Sequence, residues 1–356
     1  MSRGAEWTVR LALVSVSVLM TFAVLELGCR LSEGRHWLLH WPNLVAQELA
    51  VRAHGSGYVH DPVLGFVPQP KFASPSFSVD DRGNRAMPPL ARGASGALLL
   101  VTGASFAFGE EVHDDSSWPV YLQALVGRRT VNAGVSAYGL DQTVLRTEQE
   151  AAFLKPTLIV LSFDSESLLR SESRRTFGAL KPYFTIDDKG ALALQNVPVP
   201  NVMDGGVSHV GLTFWQRAFG WSLLIDMTMQ RLGQWDGWMG LSERVTPDGT
   251  AERLACPLMQ RLAKLNTPTL IVAQYAHGYW KLDERSATGA QHLSRIVLEC
   301  AAQAGLSTFD TFDVVDRAVR ERGLNNLYLR DHHNPEGNRL IGESIAAELK
   351  RQGLLK

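Results

Sequence analysis

Charge of one sign is what this chain most conspicuously lacks: 35 Lys and Arg stand against 36 Asp and Glu, a net charge of −1, with no basic block. Nucleic-acid binding needs a basic face, so that class is excluded and nucleic acid is not expected as a partner. Cysteine is scarce too, with Cys29, Cys256 and Cys300 only. Cys29 closes the N-terminal apolar run. Cys256 and Cys300 are left either to pair in an oxidising compartment or to remain buried free thiols, and both readings stay open. Long hydrophobic runs are confined to one, residues 11–28, which follows Arg3 and Arg10 and carries the single charge Glu26. Its length is near the lower limit of the ~20 residues a helix needs to cross a bilayer. No A-x-A-like site follows it, which favours an uncleaved signal-anchor over a signal peptide. Lipoprotein processing at Leu27-Gly28-Cys29 is disfavoured because Glu26 occupies a position that requires an aliphatic residue. Arg3 and Arg10 hold the N-terminus in the cytoplasm, with Arg30 and Arg35 counting against that orientation. The expectation is a single-pass protein of a bacterial inner membrane, its bulk facing the periplasm or exterior.

Disorder is excluded by a hydrophobic share of 45%, and 356 residues suffice for one large domain or two small ones. Residues 1–30 are read as the anchor and 31–96 as an amphipathic, then irregular, lead-in. In that lead-in a helix begins near Trp41-Pro42, and Trp37 and Trp41 are placed to rest at a membrane interface. From residue 97 short apolar runs alternate with helical patterns. Strands are expected at 98–102, 130–133, 157–163, 269–274 and 307–312, and helices at 117–125, 140–153, 290–304 and 335–351. That rhythm predicts a parallel sheet covered on both faces, a three-layer α/β/α sandwich. Residues 171–252 break the rhythm and read as an insertion within the domain spanning 97–356. It contains Trp215, Trp221, Trp235 and Trp238, with a helix expected over 212–232. Packing against the sheet is the simpler role for these aromatics; a lid or sugar-stacking surface is the sharper one.

Chemistry gathers in four blocks. Gly103-Ala104-Ser105 follows the first strand, where a serine is exposed near a helix start and backbone N–H groups favour developing negative charge. Asn132-Ala133-Gly134-Val135-Ser136 follows the second. Glu166-Ser167 follows the strand ending Leu161-Ser162-Phe163. Asp331-His332-His333-Asn334-Pro335-Glu336-Gly337 precedes the last helix, with Asn334 as N-cap and Pro335 at the first helical position. Two adjacent histidines invite a metal, but no third ligand stands at a recognisable spacing, so no metal is expected. His277 follows a strand at the sheet end where parallel sheets bind ligands, although a loop histidine with ordinary partners is the simpler account.

In order and spacing these blocks resemble those of the SGNH (GDSL-like) hydrolase family, over roughly residues 97–349 with the insertion unmatched. The resemblance implies a flavodoxin-like sheet, no cofactor, Ser105 as nucleophile and His332 as its base. It also implies that the Gly134 N–H, together with the position of Glu166, forms the oxyanion or substrate site. Three supporting positions depart from the pattern. Ala104 replaces an aspartate. Glu166 replaces an asparagine, and an ionised carboxylate repels an oxyanion that an amide would stabilise. Leu329 stands where the acid that orients the base is expected. Asp331 is the neighbouring carboxylate and completes the candidate set Ser105, His332 and Asp331. Adjacent side chains of an extended segment diverge, however, so a register with His333 as base stays open. The implied function is a membrane-anchored serine esterase acting on acyl esters, O-acetyl first, of a polysaccharide or another small ester. An O-acyltransferase using the same residues and a non-catalytic binding or scaffold protein are the alternatives. No protein partner is implied.

Overall fold

The computed structural model describes residues 3–34, 36–54, 57–90, 95–187, 190–201, 212–247 and 249–355. Arg35, parts of the lead-in and residues 202–211 of the expected insertion lie outside them. Two compact units emerge: Met1–Ser56 with Val202–Ser242, and Gly57–Asn201 with Glu243–Lys356.

The larger unit is built on five parallel strands, β1 (Ser95–Gly103), β2 (Arg128–Asn132), β3 (Leu158–Phe163), β4 (Thr269–Ala273) and β5 (Ser307–Asp310). Their spatial order is β2-β1-β3-β4-β5, the flavodoxin-like doubly wound order with its switch point between β1 and β3. Alternation along the strands divides the core. Leu99, Val101, Leu158, Val160, Leu270 and Val272 face one way, onto helices Trp118–Val126, Phe312–Arg322 and Pro335–Arg351 through residues such as Leu122, Val315 and Ile341. Leu100 and Ile159 face the other way, toward helix Leu140–Leu154. Both faces of the sheet are therefore dry, which is why β3 reads as an apolar run interrupted only by Ser162 and is buried throughout.

Two helices run longer than the sequence pattern suggests or were hidden by it. Glu284–Gln303 starts a turn and a half before residue 290, capped by Asp283 accepting from Ser286 N–H. Phe312–Arg322 begins where a strand is expected to end. Helix Thr250–Ala263 lies at the edge of the segment expected to be inserted, and Cys256 on it forms a disulfide with Cys300 on Glu284–Gln303. Residues 58–68, expected to be irregular, form an antiparallel hairpin, Tyr58–Asp61 with Gly65–Pro68. The Asp61 carboxylate accepts the N–H groups of Val63 and Leu64 at its turn.

The smaller unit is helical. It opens with Arg3–Glu33, of which Arg10–Glu33 is long and apolar enough to cross a membrane, with Leu11, Leu13, Val14, Leu19 and Met20 exposed along it. Leu44–His54 follows, its start held by the Asn43 side chain accepting from Ala46 N–H. The helix expected over 212–232 is two helices, Phe214–Phe219 and Leu223–Arg231, with Ser222 capping the second by accepting from Ile225 N–H. Leu44, Val45, Ala46, Leu223, Met239 and Leu241 form this unit's core. The central part of the expected insertion thus belongs to the same unit as the N-terminal helices.

Near the end of Arg3–Glu33, the Arg30 guanidinium donates to Glu26, to the carbonyls of Trp37 and His40, and to that of Trp221. Glu26 in turn accepts from Ser222 Oγ and from the N–H groups of Leu223 and Leu224. A charge of the apolar run is thereby used to cap a helix distant in sequence.

Candidate active site

The C-terminal ends of β1, β2 and β3 release the first three blocks side by side. Gly103 ends β1 at φ +153°, and a Cβ there would lie 2.6 Å from the Ser162 carbonyl oxygen of the neighbouring strand. The chain then turns into the short helix Ser105–Phe108, leaving Ser105 at its first position, where the N–H has no intrahelical acceptor. Phe106, beside it, is buried against the rings of both His332 and His333, at 5.0 and 5.2 Å between centroids.

His332 arrives from the other end of the chain. The segment before the last helix is fixed by a bridge between Tyr328 and His333, by Leu329 N–H donating to the His332 carbonyl, and by Asn334 capping helix Pro335–Arg351 through Gly337 N–H. Its Nε2 lies 2.8 Å from Ser105 Oγ. Proton transfer from a hydroxyl to an imidazole needs that separation.

His333 points inward instead. It is buried, its Nε2 is 3.0 Å from the Tyr328 hydroxyl, and that hydroxyl donates onward to the Tyr275 carbonyl. Burial, reinforced by the neighbouring His332, pushes its pKa down to about 3, so the ring is neutral at physiological pH. Of the two histidines, the structure brings His332 to the serine.

Asp331 turns to solvent, 60% exposed, where it pairs with Arg330. Residues 329–332 form the bend between bridged Tyr328 and His333, and the two neighbouring side chains leave it in different directions. Leu329 is 46% exposed. The carboxylate that does lie against the imidazole belongs to a residue the sequence did not single out, Glu111. Its Oε1 is 3.5 Å from His332 Nδ1, and Oε2 accepts from the N–H groups of Asp331 and His332 at 3.3 and 3.4 Å. Glu111 holds a left-handed conformation, φ +69°, uncommon outside glycine.

Gly134 packs against the helix Ser105–Phe108 so closely that a Cβ would lie 2.5 Å from Phe108 N. Its N–H is engaged, donating to Asn132 Oδ1 at 3.1 Å, while Asn132 Nδ2 donates to the Ala107 carbonyl. Glu166 lies in the helix Ser165–Leu169 that follows β3, a helix capped by Asp164. Desolvation, then the nearby Asp164 charge, raise its carboxyl pKa, against a smaller lowering by Arg170. No hydrogen bond described joins Glu166 to Ser105 or His332. His277 is buried, its N–H donating to the Asp331 carbonyl, a position in the scaffold of the histidine segment. Among the described residues no three His, Cys, Asp or Glu side chains group as a metal site.

No family model matches the sequence, and no curated protein matches it. Solved structures similar to it include an alpha/beta hydrolase enzyme from the metagenome of Lake Arreo, Spain, at 15% identity over 74% of this chain and 98% of that one, with a TM-score of 0.45. An acetylxylan esterase from Geobacillus stearothermophilus, solved as a catalytic mutant, is similar at 13% identity over 73% and 96%, TM-score 0.43. A lipolytic protein of the G-D-S-L family from Desulfitobacterium hafniense is similar at 13% identity over 71% and 100%, TM-score 0.36. Strand order gives this chain a flavodoxin-like doubly wound sheet, with Ser105 just after the first core strand and His332 just before the last helix.

Proposed function

We propose that this protein is a serine esterase tethered to a membrane by its N-terminal helix. The observation that carries the reading is the 2.8 Å contact between Ser105 Oγ and His332 Nε2 at the C-terminal end of a parallel sheet. In the proposed reaction His332 Nε2 takes the hydroxyl proton as Ser105 Oγ forms a bond to the ester carbonyl carbon, and the carbonyl π pair moves onto oxygen. Collapse expels the alcohol, which leaves with the proton from His332. Water, deprotonated by the same nitrogen, then releases the acid and restores Ser105.

Ser105 N–H is one donor for the oxyanion. Gly134 N–H is the second, and it has to be shared with or released by Asn132 Oδ1 as negative charge develops. Glu166, on the helix that follows β3, is proposed to line the substrate side of this site. An acyl ester of a carbohydrate, O-acetyl first, is the proposed substrate, on the strength of the family resemblance.

A non-cytoplasmic location is supported by two independent features. Arg10–Glu33 is long enough to span a membrane, and the Cys256–Cys300 disulfide belongs to oxidising compartments. Exposed Trp41, Phe214 and Trp215, in the same unit as the apolar helix, suit the aqueous border of a bilayer.

The test is labelling of the full-length chain with a fluorophosphonate. Wild type is expected to label and Ser105→Ala not to. Equal labelling of the two would remove the enzymatic reading and leave the scaffold alternative.

A further inference from the structure

We propose that Glu111 is the positioning residue for His332, holding its ring in the tautomer that presents a lone pair to Ser105; this rests on the esterase reading above. His332 Nδ1 is shielded from solvent and has no hydrogen-bond partner within ordinary distance. A buried donor left in that state is costly, about 1–3 kcal/mol for a neutral group. Glu111 Oε1, 3.5 Å away, is the acidic group positioned to accept from it, and catalytic hydrogen bonds are commonly long before substrate closes the site.

Three further observations separate this carboxylate from a casual surface neighbour. Its other oxygen accepts both backbone N–H groups of the histidine segment, so its orientation is set by that segment. Glu111 and His332 are only 18% and 19% exposed, whereas the pairing of Asp331 with Arg330 is in solvent. The adjacent Glu110 is committed elsewhere, accepting from Ser136 Oγ.

Chemically, Glu111 acts as an acceptor only. It accepts a hydrogen bond from Nδ1–H, and its negative charge stabilises the imidazolium formed while Nε2 carries the proton of Ser105; no proton passes to it. Arg330 Nη2 lies 3.7 Å from the same Glu111 Oε1. The position three residues before the histidine is free of this duty, which accounts for Leu329 there.

The experiment compares hydrolysis of p-nitrophenyl acetate and fluorophosphonate labelling rates for full-length wild type, Ser105→Ala, His332→Ala, Glu111→Gln, and Glu111→Gln combined with Leu329→Asp. Glu111→Gln is expected to lose at least about a hundredfold in rate with its unfolding temperature unchanged. The added Leu329→Asp, which returns an acid to the histidine's own loop, is expected to recover at least about tenfold. A Glu111→Gln rate within about threefold of wild type, no recovery in the double variant, or a loss that tracks a lowered unfolding temperature overturns the proposal. Failure of the esterase reading looks different: Ser105→Ala then matches wild type in both assays.

Discussion

Arg30 Nε lies 2.6 Å from Glu26 Oε1, one helical turn apart, and the two side chains are 0% and 2% exposed. Every remaining polar atom that the structure describes around this pair is satisfied by backbone or Ser222. The pair thereby joins the end of the apolar helix to Leu223–Arg231. Removing one partner strands a buried charge, a loss of about 3–5 kcal/mol. Arg30→Met should therefore sharply increase protease cleavage within residues 212–241 of the full-length chain. The double change Glu26→Leu with Arg30→Met should be milder. Equal sensitivity of Arg30→Met and wild type would show that the pair stabilises nothing.

His333 makes stability depend on acid. Its pKa is about 3 in the folded chain against 6.5 when unfolded, so the unfolded state binds its proton first as pH falls. The contribution is complete above pH 6.5 and is lost progressively between that value and about 3, reaching about 2 kcal/mol at pH 5. Urea midpoints at pH 7 and pH 5 should differ more in wild type than in His333→Gln. Parallel behaviour of the two proteins would contradict this.

Gly134→Ala should distort the nucleophile's turn, because the new methyl would lie 2.5 Å from Phe108 N and 2.8 Å from Ala107 C, both backbone atoms with little freedom to retreat. Overpacking of this kind costs about 1–3 kcal/mol. The expected readout is a lowered unfolding temperature together with slower fluorophosphonate labelling, and unchanged values in both would refute it.

The Cys256–Cys300 bond spans a sequence separation of 44. Loop-closure entropy for that length predicts about 4 kcal/mol, with measured effects commonly 2–4. Chain purified from its native compartment should show one titratable thiol, Cys29, rising to three after denaturation and reduction. The reduced form should unfold at a lower temperature.

Legibility followed locality. The helix Pro335–Arg351 is written in its own first residues, Asn334 as cap and Pro335 as first turn, and the strands are written in their buried apolar runs. The single helix expected over 212–232 fails for a reason no local pattern contains. Its second half begins at Ser222 because Glu26, 196 residues earlier, accepts the N–H groups exposed there. Glu111 is unreadable for the same reason. A left-handed glutamate carries no composition signal, and its partner lies 221 positions away. The local sign is negative, an apolar Leu329 where an acid is expected, and the nearest acid in sequence, Asp331, is in solvent beside Arg330. The chain had drawn on the loop after the serine.

Ser105 and His332 are separated by 227 positions, one at the close of the first core strand and the other at the threshold of the last helix. Their contact has a consequence in time. A ribosome that has not yet reached residue 332 has made a serine with no base, and the pair exists only once that segment has emerged and docked. A chain clipped ahead of residue 332 would be disarmed without any change at the serine. For a protein whose domain is proposed to cross a membrane before it works, the arrival of His332 is itself the switch.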